Sequence, residues 1–265
     1  MINGRDITYM LPCKAGSVYI NVTSECLNHC LFCIRRDGPL FFGYDLSLKG
    51  SNPEPHDIIS SLKENLAWES VREVVFCGMG EPMLRYDCVV ESCKSIRTNR
   101  ETNVRLRVDT SGLFWASTKR LDILDCIDIL SVSLNAENEK KYKEICRPKI
   151  ENAYDILMDF IRAVKLAECD RKKRGIRFPE VRLSLVDTSE DEFIPASGRL
   201  VYPNGGFPIP DFEECAKIAA TFGWPLVIKR LFRDSRDECW NNRSFEEFLA
   251  RGNSLDRCNN CTHRH

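Results

Sequence analysis

Six short runs of β-branched and aliphatic residues, spaced by amphipathic stretches, constrain the fold of this chain more than any other feature. They are Ser17–Thr23 (SVYINVT), Glu73–Cys77 (EVVFC), Val104–Asp109 (VRLRVD), Ile127–Leu134 (IDILSVSL), Glu180–Val186 (EVRLSLV) and Pro225–Lys229. Between them, apolar spacing at helical period predicts helices over Pro55–Ala67, Tyr86–Arg97, Thr118–Cys126, Glu137–Cys146, Asn152–Cys169 and Phe212–Phe222. Strands that are nearly all apolar and alternate with helices imply a parallel sheet covered by those helices.

Two segments break this rhythm. Thr188–Pro210 carries Pro195, Pro203, Pro208, Pro210 and the Gly205–Gly206 pair, too long and proline-rich for a connector, so it is expected to be a functional loop or lid. From Leu231 the chain turns polar and charged, with Cys239, Cys258 and Cys261 embedded. The expected organisation is a core over 1–230 with an insertion at 188–210, then a C-terminal extension over 231–265. There is no internal repeat and no low-complexity tract.

The 265 residues include 38 Lys and Arg against 39 Asp and Glu, a net charge of −1, which gives no overall pull toward nucleic acid or anionic membrane. No apolar run approaches the roughly 20 residues that span a bilayer. Met1–Lys14 mixes Arg5, Asp6 and Pro12 and lacks the apolar core of a signal peptide. A cytoplasmic protein with no membrane partner is expected. In that compartment disulfides explain 14 cysteines poorly. Cys88, Cys93, Cys126, Cys169 and Cys215 fall within helical or extended patterns and are expected to be buried as small apolar residues; Cys13, before the first strand, is expected to pack in the core, with metal ligation or hydrogen donation as the alternative.

The informative cysteines are bunched. Thr23–Arg35 reads TSECLNHCLFCIR, a C-x3-C-x2-C triplet directly after the first strand. A structural zinc site wants four ligands, and only three thiols are local, so zinc needs His29 or a distant ligand. A [4Fe–4S] cluster on three thiolates leaves one iron open, and that iron can chelate the amino and carboxylate groups of S-adenosylmethionine (SAM). Structural cysteines at chance spacing are the third possibility.

Cys26, Cys30, Phe32 and Cys33 match the C-x3-C-x-aromatic-C loop of the radical SAM superfamily, and the chain resembles that superfamily well beyond it. Cys77–Pro82 (CGMGEP) is similar to the family's Gly-Gly-Glu-Pro turn, with Met79 at the usual second glycine and Gly80 following. Asp109-Thr110-Ser111-Gly112 resembles its D-T-N-G turn, and Ser131–Asn135 (SVSLN) its serine-rich strand. Arg147 stands fourteen residues after Ser133, where some members place an arginine on the SAM carboxylate; a guanidinium fork suits that group. More narrowly, YINVTSEC, CIRR, GYDL, VVFCGMGEPMLR, SVSLNAENEKKYKEICRP and DFEECAKIAATFGWPLVIKR resemble the TatD family-associated radical SAM proteins.

The resemblance implies an α/β fold, a partial (β/α)6 TIM-like barrel holding SAM near the C-terminal ends of its strands. It implies a cluster on Cys26, Cys30 and Cys33. Phe32, Gly78, Met79, Gly80, Glu81, Asp109, Ser111, Ser133, Asn135 and Arg147 become candidate SAM contacts. It also implies reductive cleavage of SAM to a 5′-deoxyadenosyl radical that takes hydrogen from a substrate, whether small molecule, nucleotide or macromolecule, with flavodoxin or ferredoxin as reductant. Alternatives are an activase for a glycyl-radical enzyme, an iron–sulfur redox sensor, and a zinc module for nucleic acid. The last two leave GMGEP, DTSG and SVSLN idle.

At the C-terminus, Cys239-x18-Cys258-x2-Cys261 with His263 is a candidate second metal site, an auxiliary [4Fe–4S] cluster or a zinc knuckle with His263 as fourth ligand. Arg171–Arg177 (RKKRGIR) is expected to be a solvated helix end, with a phosphate contact as the alternative. Lys229, Arg230, Arg233 and Arg236 are candidates to face an anionic substrate.

Overall fold

A computed structural model describes residues 7–11, 14, 16–65, 70–98, 103–187, 208–230 and 243–244. In chain order the elements are β1 (Thr8–Met10), β2 (Ser17–Ile20), a small hairpin of β3 (Leu40–Phe41) and β4 (Tyr44–Asp45), α1 (Pro55–Asn65), β5 (Glu73–Phe76), α2 (Tyr86–Thr98), β6 (Arg105–Thr110), β7 (Ile129–Ser133), α3 (Glu139–Cys146), α4 (Ala153–Lys173), β8 (Glu180–Asp187), α5 (Phe212–Phe222), β9 (Leu226–Arg230) and β10 (Arg243–Ser244).

One sheet runs β1-β2-β5-β6-β7-β8-β9-β10. The six strands from β2 to β9 are parallel and stand in sequence order, while β1 and β10 close the two edges antiparallel. Neighbours that are consecutive in the chain, each returned by a crossover, make the wall of a partial TIM-like barrel. The edge strands β1 and β10, three and two residues long, are too short to carry a readable period.

Strand residues alternate between two environments. Val18, Ile20, Val74, Phe76, Leu106, Val108, Leu130, Val132, Leu183, Leu185, Leu226 and Ile228 pack with helix residues in the main core. The intervening positions turn inward, where Tyr19 and Val75 meet Tyr9, Leu11, Leu46 and Met79. Elsewhere on that inner face stand charged and hydroxyl groups, so the strands are less apolar than their runs suggest. Asp211 caps α5 by accepting from Glu214 N (3.0 Å), and Asn138 caps α3 by accepting from Lys141 N (2.9 Å).

Two expectations need correction. Thr118–Cys126 is not a helix; a single 3₁₀ turn, Asp122–Asp125, stands there. Leu113, Phe114 and Trp115 fill the covering position instead, with Phe114 and Trp115 packing on Phe160 of α4 at ring separations of 5.1 and 5.6 Å. Asp122 is held by Tyr86 Oη (2.9 Å) and Arg120, which fixes the turn without a second helical layer. Cys169 is exposed on α4, whereas Cys88, Cys93, Cys126 and Cys215 are buried as expected. The basic run is a helix end: Arg171, Lys172 and Arg174 pair with Asp125, Glu168 and Asp170, and Arg177 pairs with Asp128. Among the described residues no helix is long and apolar enough to cross a membrane.

Candidate functional site

The three cysteines of the triplet are free thiols, half-buried, on the loop that leaves β2. Two anchors shape that loop. The first is the C-terminal end of α3, whose last carbonyls have no partner within the helix. His29 N donates to Cys146 O (2.9 Å) and Leu31 N to Ile145 O (2.9 Å), while Lys149 N donates back to Leu27 O (2.7 Å). Asn28 Nδ2 adds a bond to Tyr142 Oη (3.0 Å), and Leu31 is sunk in the structure at 1% exposure. The second anchor is Arg35. Its Nη1 donates to Ser24 O and its Nη2 to Asn28 O, both at 2.9 Å, and its Nε lies 3.4 Å from Cys33 Sγ. One guanidinium therefore ties both limbs of the loop and touches a sulfur.

Burial pushes the Cys26 thiol up to about 12, and the Glu81 carboxylate adds to that shift. The Cys30 thiol is also raised, first by its hydrogen bond with Cys146 and then by burial. Cys146, at 0% exposure, is a fourth thiol against the triplet.

The CGMGEP turn lies against the start of this loop. A Cβ on Gly80 would stand 2.3 Å from Glu25 O and 2.4 Å from Thr23 O, and one on Gly78 would stand 2.4 Å from Asn21 Oδ1. Glycine is demanded here by backbone meeting backbone. Met79 N donates to Asn21 Oδ1 (3.1 Å) and Glu81 N to Glu25 O (2.7 Å). Met79 sends its side chain into the inner cluster with Tyr9 and Tyr19.

Glu81 then joins this turn to the end of β6. Its Oε1 accepts from Thr110 Oγ1 (2.7 Å) and Met83 N (3.0 Å), and its Oε2 from Ser111 N and Ser111 Oγ (both 2.6 Å). Burial raises the Glu81 carboxyl, against the pull of those donors. The side chains of Glu81 and Ser111 thus satisfy each other and build the wall, and their backbone N–H groups are engaged as well. Asp109 likewise sits in an ion network, 3.0 Å from Arg107 Nε and 3.5 Å from Lys229 Nζ.

Phe32 packs partly buried on the main core. Ser133 ends β7 on the inner face, and Asn135 follows in left-handed backbone (φ 59°), its N–H donating to Ser184 O. Arg147 ends α3 in left-handed backbone (φ 45°), exposed, with its carbonyl accepting from His29 N at 3.2 Å. The candidates therefore gather along the ends of β2, β5, β6 and β7, with Arg147 joined to the cysteine loop. Cys239, Cys258, Cys261, His263, Arg233, Arg236, Cys13 and most of the 188–210 segment lie outside the described residues. Arg35, Asn21, Asn28, Tyr142 and Cys146 escaped the motif reading, although Arg35 stands in the CIRR stretch two residues past Cys33.

This donor set fits an iron–sulfur cluster with an open iron: three thiols on one loop, with the fourth, Cys146, buried at the end of α3 and hydrogen-bonded to Cys30. His29 is a poor fourth ligand, being exposed and ringed by Arg35, Arg36, Arg147 and Lys149. Among the described residues no three His, Cys, Asp or Glu side chains converge to hold a single ion.

The model of the Radical SAM superfamily matches residues 20–174. The chain is 33% identical over 130 residues to the GTP 3′,8-cyclase of Lactiplantibacillus plantarum, a stretch covering 49% of this chain and 36% of that protein. It is 26% identical over 179 residues to the probable dual-specificity RNA methyltransferase RlmN of Aquifex aeolicus, covering 62% of this chain and 51% of that one. The structure of TYW1 with a lysine–pyruvate adduct bound is similar at a TM-score of 0.51 and 13% identity, over 85% of this chain and 68% of that one, a likeness of fold alone. The match thus spans between a third and about half of the length of these curated relatives.

Proposed function

The chain belongs to the radical SAM superfamily, and on that premise we propose that Cys26, Cys30 and Cys33 hold a [4Fe–4S] cluster used with SAM to take hydrogen from a substrate. When bound, the cluster supplies the electron that splits the sulfonium bond of SAM into methionine and a 5′-deoxyadenosyl radical. The protein's part is position and shelter. Arg35 and the end of α3 hold the loop that carries the three cysteines. Ser133, Asn135, the Arg147 guanidinium and the glycine carbonyls of CGMGEP are the groups we assign to orient SAM.

One observation supports this reading most. The cysteine loop, the CGMGEP turn and the end of β6 form one hydrogen-bonded unit through Glu25, Glu81, Thr110 and Ser111. A redox sensor or a zinc module needs the first of these pieces and not the others. A glycyl-radical activase would share the whole unit and differ only in its substrate. Flavodoxin or ferredoxin remains the reductant of choice, and the narrower likeness to TatD-associated proteins rests on the sequence stretches alone.

Anaerobic reconstitution with iron and sulfide tests the cofactor. About four iron atoms per chain, together with a change in the electron paramagnetic resonance of the reduced cluster on adding SAM, is the expected result. Cys26→Ala, Cys30→Ala and Cys33→Ala should each abolish that signal; survival in all three would reject the assignment. The spacing of Cys239, Cys258, Cys261 and His263 supports a second site in the tail. Iron lost from a Cys258→Ala/Cys261→Ala variant would support it, and an unchanged count would exclude an auxiliary cluster.

A further inference from the structure

The inner wall of the barrel carries buried charge that SAM chemistry does not use. Arg107 on β6 donates through Nη1 to Glu73 on β5 (2.8 Å) and sets Nε 3.0 Å from Asp109 Oδ1. Lys229 reaches from β9 to Asp109 on β6, with Nζ 3.5 Å from Oδ2. Two carboxylates are thereby matched by two cations. A third cation, Arg182 on β8, adds to the positive charge around Asp109. Its neighbours Val181 and Leu183 lie in the outer core, so its side chain turns inward. Nε and Nη2 of Arg182 are buried and make no hydrogen bond among the described residues.

Two hydroxyls beside it share that condition. Ser131 on β7 pairs in register with Arg182, and Ser184 is the next inward residue along β8. Both residues are 0% exposed, and neither Oγ has a hydrogen-bond partner. Burial is the leading influence on Arg182 and works against its charge; Asp109 favours the charge and Arg107 opposes it. Guanidinium nitrogens and hydroxyls withdrawn from water without an acceptor destabilise the fold. Folded proteins satisfy the large majority of such groups. Water would suit the hydroxyls but would give the two orphaned guanidinium nitrogens no anionic acceptor. An oxyanion answers both needs, since a guanidinium edge grips it with two donors and serine hydroxyls complete its shell.

We propose that Arg182, Ser131 and Ser184 form an oxyanion subsite on the inner wall, which takes the carboxylate or phosphate of the molecule the radical acts on. This inference rests on the functional reading above. SAM's own carboxylate has the same chemistry, and the experiment separates the two sources.

The full chain with its cluster reconstituted is melted in inorganic phosphate and in chloride of equal ionic strength, and SAM affinity is measured by calorimetry. Phosphate should raise the Tm of the parent protein, and Arg182→Gln should lose the shift while Arg182→Lys keeps part of it. SAM affinity should stay within about twofold in both variants. An equal phosphate shift in parent and Arg182→Gln, or none in the parent, overturns the subsite. A loss of SAM affinity of about tenfold or more in Arg182→Gln assigns the site to SAM and overturns the substrate reading. Should Arg182→Gln fail to fold, Ser184→Ala keeps the charge and must still shrink the phosphate shift. If the parent binds phosphate but not SAM, the functional reading fails and the subsite stands.

Discussion

Arg35 does three jobs with one guanidinium, bonding Ser24 O, Asn28 O and the Cys33 sulfur. Hydrogen bonds to charged groups contribute about 1.5–3 kcal/mol each, so Arg35→Gln should loosen the loop and remove a cation from beside the thiolates. A chelator should then strip iron faster from the variant, and the cluster's potential should move negative; unchanged stripping would show that the loop is held elsewhere. Asp109 carries a second test. Burial pushes its carboxyl up, but Arg107, Lys229 and Arg182 hold it below the ordinary 3.8. The stability it contributes is therefore complete above that value and disappears as pH falls through the lowered one. Asp109→Asn leaves those cations uncompensated, at a cost of about 3–5 kcal/mol near neutral pH. The urea midpoint of the parent should fall more steeply than the variant's below about pH 4; parallel curves would mean that Asp109 is not ionised in the fold. At this scale the cysteines are legible because their meaning lies in local spacing. Arg35 and Arg182 are not, because what they touch is decided by segments far off in the chain.

The glycine turn shows how an element can be found for one reason and needed for another. Its motif suggests room for a ligand, whereas the closest neighbours of Gly80 are the Glu25 and Thr23 carbonyls of the cysteine loop. Both are backbone, so an added methyl cannot be accommodated by a rotamer change. Gly80→Ala should cost about 1–3 kcal/mol or more of stability and reduce iron retained after reconstitution. A variant with parental Tm and iron content would contradict the packing described. The strands and most helices are readable from period alone. The Thr118–Cys126 segment misleads because its apolar spacing is helical, while Leu113, Phe114 and Trp115 already cover that part of the sheet. The edge strands give too few residues for any period.

Across the whole molecule, one alternation organises everything. The outer strand positions build the helix-covered core, and the inner ones build a wall of aromatic, hydroxyl and charged groups around the space beside the cysteine loop. A parallel sheet usually buries apolar residues on both faces, so a charged inner face marks a binding interior. The sequence runs VRLRVD and EVRLSLV already contain that alternation. Which face turns inward is visible only once the sheet curls. Cofactor class and fold were thus accessible from motif and period, while the charged inner wall needed three-dimensional pairing.

The central claim is that the cysteine loop and the strand ends beside it together cleave SAM. Cluster-loaded protein incubated anaerobically with dithionite and SAM should yield 5′-deoxyadenosine and methionine in equal amounts, and Cys30→Ala should yield neither. Absence of both products from protein shown to hold its cluster and to bind SAM would contradict the account.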